Sequence, residues 1–163
     1  MKNRKFKAPN PRPLYNQPGI RAVTDVWLVE GEKSAQALID HGHCATTAMN
    51  GAKAPVDKTD WSPLKEKRVL IWPDKDEAGL AYAHSAASAI EAAGALSVVI
   101  LRPPVDKPEK WDAADAVAEQ FNIQEWQATT DRKTVKSAGL QLKDWNALCY
   151  HCLLYTSPSP RDS

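Results

Sequence analysis

Two short acidic motifs in this chain carry residue types suited to divalent-metal chemistry on phosphates. Glu30 directly follows the apolar run Val26-Trp27-Leu28-Val29, and Asp74 and Asp76 follow Val69-Leu70-Ile71-Trp72 as an Asp-x-Asp pair split by Lys75. Carboxylates a few ångströms apart repel and raise one another's pKa. A hard cation with oxygen ligands relieves that repulsion, and Mg²⁺ (or Mn²⁺) is the usual choice where a few carboxylates meet a substrate phosphate. In an extended segment residues i and i+2 point the same way, so Asp74 and Asp76 are expected to face one ion together. Gly31 is expected to allow close backbone approach beside Glu30. Taken singly, each acid has a plainer reading, with Asp74 capping a turn and Asp76 capping a helix. Their joint placement after two apolar runs favours a metal site.

Those runs fix the elements that must position the acids. Residues 26–29 and 68–72 are short, apolar and rich in β-branched residues, as buried strands are. Pro73 stops the second. Residues 34–41 place Ala35, Leu38 and Ile39 at helical spacing, and Gly42 suits the position just past a helix end. Residues 44–48 form a weaker strand, Asn50-Gly51-Ala52 a turn, and residues 57–63 a polar connection. An Ala-rich helix is expected over 77–93, with Leu80, Ala83, Ala87 and Ile90 on one face and Gly94 ending it. Residues 97–101 read as a strand, and 113–121 as a helix opened by Asp112. Alternation of this kind predicts an α/β, Rossmann-like, mostly parallel four-stranded sheet with helices on both faces. Ligands in such sheets bind beyond the carboxyl ends of the strands, where Glu30, Asp74 and Asp76 would sit.

The stretch Leu28-Val29-Glu30-Gly31-Glu32-Lys33, then Asn50-Gly51-Ala52, then Val69-Leu70-Ile71-Trp72-Pro73-Asp74-Lys75-Asp76-Glu77-Ala78-Gly79, resembles a TOPRIM domain. The likeness is nearest to TOPRIM domains of primase or primase-helicase proteins of phages and plasmids. Pro13-Leu14-Tyr15-Asn16 and Trp111-Asp112-Ala113-Ala114-Asp115-Ala116 extend it over about residues 13–121. The resemblance implies that Glu30 is the family's catalytic glutamate and that Asp74 and Asp76 are its metal-binding pair. It makes Asp112 a further metal or nucleotide acid, with a helix N-cap as the alternative. Lys33 would contact phosphate or simply lie on a surface helix. Asn50 and Gly51 would form the family's turn near the site or an ordinary turn. Lys75 would screen the two aspartates. The implied activity is primer synthesis by nucleotidyl transfer, with a DNA template, nucleoside triphosphates and a helicase ATPase domain or protein as partners.

The remaining features bound this reading. The 163 residues suit one domain, and 43% hydrophobic with 25% charged residues is enough to bury a core. A net charge of +1 does not mark a nucleic-acid binder by bulk charge. The basic residues Lys2, Arg4, Lys5, Lys7 and Arg12 do lie in an extended, Pro-rich lead-in expected over 1–22. The domain proper is expected over 23–122, and residues 123–151 form a poorly defined helical or linker region. No stretch approaches the roughly 18 apolar residues of a membrane span. Cys44, Cys149 and Cys152 make an odd count without a disulfide framework, which fits a reducing cytoplasm. Residues 152–162 match the translation of a transposase sequencing adapter residue for residue. Residues 152–163 are therefore expected to be an assembly artefact, and the natural protein is expected to continue past His151.

Four other functions meet the same residues. A haloacid-dehalogenase-type phosphatase also places Asp-x-Asp after a strand, but Glu77-Ala78 is not its usual continuation. A P-loop ATPase needs a glycine-rich phosphate loop, and Gly31-Glu32-Lys33-Ser34 lacks the first glycine and the spacing. A TOPRIM nuclease would share the acidic site. A non-catalytic TOPRIM module would bind nucleic acid without using it.

Overall fold

The computed structural model describes residues 7–137, with side chains to residue 134. The residues of the tail, Cys149, Cys152 and the first basic positions lie outside them. Five strands form one sheet in the order β2-β1-β3-β4-β5. They are β1 (Asp25–Leu28), β2 (Ala45–Thr46), β3 (Arg68–Ile71), β4 (Ser97–Leu101) and β5 (Arg132–Ser137). The first four run parallel, and β5 pairs antiparallel with β4.

Side chains alternate through the sheet and feed two cores. Val26, Leu28, Val69, Ile71, Val98 and Ile100 face one layer, built on α1 (Gln17–Ala22) and α3 (Glu77–Ala92). Trp27, Val29, Leu70, Trp72, Val99 and Leu101 face the other, built on α2 (Glu32–Asp40), α4 (Ala113–Ala118) and α5 (Ile123–Thr129). Central strands buried on both faces must be apolar at every position, which is why these three strands were so plain in the sequence. Gly42 (φ +90°) and Gly94 (φ +94°) close α2 and α3 in the left-handed conformation expected just past a helix end.

The second core holds an aromatic cluster that matters for the site. Trp72 is 1% exposed, with its ring centroid 4.4 Å from Trp126, 5.5 Å from Trp111 and 5.7 Å from Trp27. Lys107 lies over the rings of Trp111 and Phe121 and pairs with Glu119 at 2.8 Å. Trp111 Nε1 donates to the same Glu119 carboxylate, and those two bonds hold its carboxyl below the usual range. The loop before Asp112 is thereby pinned to the end of β3.

The structure departs from the sequence expectation in three places. The sheet has a fifth strand, because Arg132-Lys133-Thr134 is an edge sequence whose charges discourage further pairing and hide the apolar signal. Residues 14–22 are not an extended lead-in: Pro18 lies in the first turn of α1, Leu14 and Ile20 are buried, and Leu14 bridges Ala48. The 57–63 connection contains 3₁₀ turns and a buried Trp61 whose Nε1 donates to Val56 O at 2.9 Å.

Candidate active site

Glu30 and Asp74 meet because β1 and β3 are parallel neighbours in register, Leu28 beside Ile71. Trp72 N donates to Leu28 O at 2.9 Å, and the next donor along the edge, Asp74 N, donates to Glu30 Oε1 at 2.9 Å. The Glu30 side chain therefore continues the ladder where the strands stop, and both residues are half-buried.

Two glycines make room for it. A Cβ on Gly79 would overlap Glu30 Oε1 and stand 2.7 Å from Asp74 O and 3.1 Å from Asp74 N. A Cβ on Gly51, whose φ is +57°, would overlap the Glu30 carbonyl oxygen. Gly31 does not have the role expected of it: nothing lies within 4 Å of its Cβ position, and it serves as the N-cap of α2. Close approach to Glu30 comes from across the fold and not from the neighbouring residue.

Burial pushes the Asp74 carboxyl up to about 7, reinforced by the negative charges of Glu30, Asp112, Asp76 and Asp115 in that order. Burial also raises Glu30, the Asp74 N–H bond opposes this, and Asp76 and Asp112 raise it further. Glu30 reaches Tyr82 as well. The Tyr82 hydroxyl is buried without a hydrogen-bond partner among the described residues, and burial with the Glu30 charge keeps it protonated.

Glu30, Asp74, Asp76 and Asp112 thus form one electrostatic group, but not as a strand-like pair plus a third ligand. The Asp74–Asp76 segment is a tight turn in which Asp76 N donates to Asp74 O at 2.8 Å, so strand alternation does not govern it. Asp76 Oδ1 caps α3 through Gly79 N at 2.6 Å. Asp112 and Asp115 form a reciprocal capping box on α4. Among the described residues, no three His, Cys, Asp or Glu side chains stand together closely enough to hold a metal ion. The donor set does not fit a closed protein cage. It fits the mode in which one or two carboxylates hold Mg²⁺ and water and substrate phosphate complete the shell.

The other residues singled out in the sequence lie around this group. Lys33 is exposed in the first turn of α2, with no hydrogen bond or ion pair among the described residues. Asn50 is exposed in a left-handed conformation (φ 74°), while Gly51 is buried against Glu30. Lys75 does not screen the aspartates. Its Nζ donates to Val105 O at 2.6 Å and to Lys107 O, its N–H to Trp111 O at 3.1 Å, and its carbonyl accepts from Lys110 N at 3.0 Å. It therefore staples the Asp-x-Asp turn to the loop that ends at Asp112. Lys75→Met is expected to lower unfolding stability in urea by about 1–3 kcal/mol while leaving the far-ultraviolet dichroism unchanged.

A cleft of about 700 Å³ opens beside the turn, between the start of α3 and the β4–β5 edge. Residue spacing carries no sign of it, because its far wall is completed by β5. The roles of Gly79 and Tyr82 were also missed. A glycine in the first turn of an otherwise Ala-rich helix was the available signal for Gly79.

The fold is Rossmann-like and TOPRIM-like: a mostly parallel sheet with acids gathered at the carboxyl ends of β1 and β3. No family model and no curated protein matches the chain. Solved structures do match it. The zinc-binding and RNA polymerase domains of the Aquifex aeolicus primase give a TM-score of 0.58 at 19% identity, covering 80% of this chain and 32% of that one. A DNA primase domain from Pseudomonas aeruginosa gives 0.53 at 17% identity, covering 85% and 40%. The primase fragment of the bacteriophage T7 primase-helicase protein gives 0.50 at 19% identity, covering 70% and 47%. The chain spans between 32% and 47% of these proteins' length. No helix among the described residues is long and apolar enough to cross a membrane.

Proposed function

We propose that this chain is the nucleotidyl-transfer domain of a DNA primase or primase-helicase, making primers from nucleoside triphosphates on a DNA template. The observation that carries this reading is the meeting of Glu30 and Asp74 at the carboxyl ends of β1 and β3, joined by the Asp74 N–H bond and with Asp76 and Asp112 in electrostatic reach, a group of acids whose repulsion a divalent cation would relieve. The likeness of the fold to primase domains supports it. The likeness to the T7 primase-helicase fragment favours a phage or plasmid setting with a helicase ATPase as partner.

Asp74 and Asp76 would hold Mg²⁺ or Mn²⁺, with Asp112 within electrostatic reach. The ion would neutralise charge developing on the phosphates during transfer. Glu30, its carboxyl raised by burial and held in place by the Asp74 N–H bond, would take up or release the proton of the attacking hydroxyl. Lys33 and the Asn50–Gly51 turn would meet phosphate at the β1 side.

The test supplies the 163-residue chain with nucleoside triphosphates, single-stranded DNA and Mg²⁺ and measures both primer formation and strand cutting. Primers from the wild type, reduced about 10²–10⁴-fold by Glu30→Gln, are the expected result. Cutting without primer formation would make the chain a nuclease instead.

A further inference from the structure

The cleft beside the Asp-x-Asp turn is divided chemically. Its α3–β3 side carries Asp74, Asp76 and Glu77 around Lys75, whose Nζ is spent on the Val105 and Lys107 carbonyls, and its β4–β5 side carries Arg102, Arg132 and Lys133 against one acid, Asp131. Leu80 on α3 and Val105 past β4 also line the cleft, 46% and 88% exposed, two large apolar side chains in water. Some of the cations are already engaged. Arg132 Nη2 donates to Gln127 O and Ala128 O at 3.0 and 3.1 Å. Arg102 stands 3.8 Å from Asp131, but both side chains are largely exposed, so water screens the pair. Arg102 and Lys133 are thus the cations that face solvent on this wall.

Neighbouring strands are about 4.8 Å apart, so the β5 wall lies roughly 10 Å across the sheet from the end of β3. A ligand matching both walls must carry negative charge at separated points and apolar surface between them. Arg102 with Lys133 draws one charge directly, and a cation at Asp74 would draw a second; without metal the basic wall alone supplies the attraction. A nucleoside triphosphate gathers its charge at one end. A duplex hides its base faces in stacking. A single strand of nucleic acid has repeated phosphates and open base faces, and tracks such a groove by backbone charge. We propose that the cleft holds a single-stranded nucleic-acid segment, running from the Asp74 end along the β4–β5 edge, with bases against Leu80 and Val105. The proposal rests on the nucleotidyl-transfer reading and adds the path of the strand. Among the described residues no Phe, Tyr or Trp lines the cleft and His84 offers a single small ring, so charge supplies most of the affinity.

The test is anisotropy of a labelled 12-nucleotide single-stranded DNA titrated with the 163-residue chain in EDTA, at several salt concentrations. Arg102→Glu with Lys133→Glu is expected to weaken binding at least tenfold. Neutral Arg102→Gln with Lys133→Gln is expected to give a smaller loss and to lower the salt slope by about 1.4, that is about 0.7 for each lost phosphate contact. Leu80→Ser is expected to weaken binding a few-fold without changing the slope. Unchanged binding in both charge variants overturns the proposal, as does equal binding of the matching duplex or none of the single strand. Asp74→Asn is expected to bind the strand as well as the wild type or better, having lost a repulsive carboxylate. Strand binding lost in the charge variants, with no primer formation by the wild type, would refute the nucleotidyl-transfer reading and uphold the cleft.

Discussion

Gly79→Ala is expected to cost about 1–3 kcal/mol of stability and to lower primer formation roughly 100-fold. Both signs run against habit. A glycine inside a helix normally weakens it by about 0.5–1 kcal/mol relative to alanine, so the substitution would ordinarily stabilise. Here the added methyl would overlap Glu30 Oε1 and press on the Asp74 backbone at 2.7 and 3.1 Å. Backbone on two sides cannot yield cheaply, so the Glu30 carboxyl must leave its bond from Asp74 N. A displacement of about 1 Å at a reacting group is enough for a 100-fold loss. Thermal unfolding and primer synthesis, measured on the same preparation, check the two parts. A more stable and fully active Gly79→Ala protein would mean that Glu30 does not work from this position.

Asp74→Asn is expected to stabilise the metal-free protein, increasingly so as pH rises from about 4 to 7. The folded carboxyl titrates at about 7 against an ordinary value of 3.8. Between those values the folded state binds more protons than the unfolded chain, so stability falls as pH climbs through the window. Above pH 7 the penalty is fully present and flat. Asparagine has no proton to lose and removes it. Asp74 is only half-buried, and solvent screening brings the effect to about 1 kcal/mol. For a chain of this size that is about 2–4 °C in Tm. Melting both proteins in EDTA at pH 5 and pH 8 should show a gap that opens with pH. An equal gap at both would mean that Asp74 is not forced toward its neutral form.

The central strands and both long helices were legible because burial on two faces, or along one helical stripe, leaves no freedom in residue type. Leu28, Ile71 and Ile100 had to be apolar wherever the chain went afterwards. β5 was not legible, since Arg132 and Lys133 satisfy an edge and a solvent face at once. At the site, the sequence brought Glu30 and Asp74 together correctly, because parallel neighbours in register deliver their carboxyl ends to one place. It misjudged the finer geometry. Asp76 and Asp112 each spend one oxygen on the helix cap that the sequence offered as an alternative, and spacing does not weigh that local partner against a distant one. Gly31 drew attention by adjacency, while Gly51 and Gly79, distant in the chain, are the residues pressed against Glu30.

The most direct check on the acidic centre is calorimetric titration of Mg²⁺ into the wild-type chain and into Asp74→Asn, each at pH 6 and pH 8. An ion at Asp74 must displace the proton held there, so wild-type affinity should rise about tenfold between pH 6 and pH 8 and level off above. One ion per chain, with that pH dependence, absent from Asp74→Asn, is the expected result. Equal Mg²⁺ affinity in wild type and Asp74→Asn would contradict a metal centre at the ends of β1 and β3.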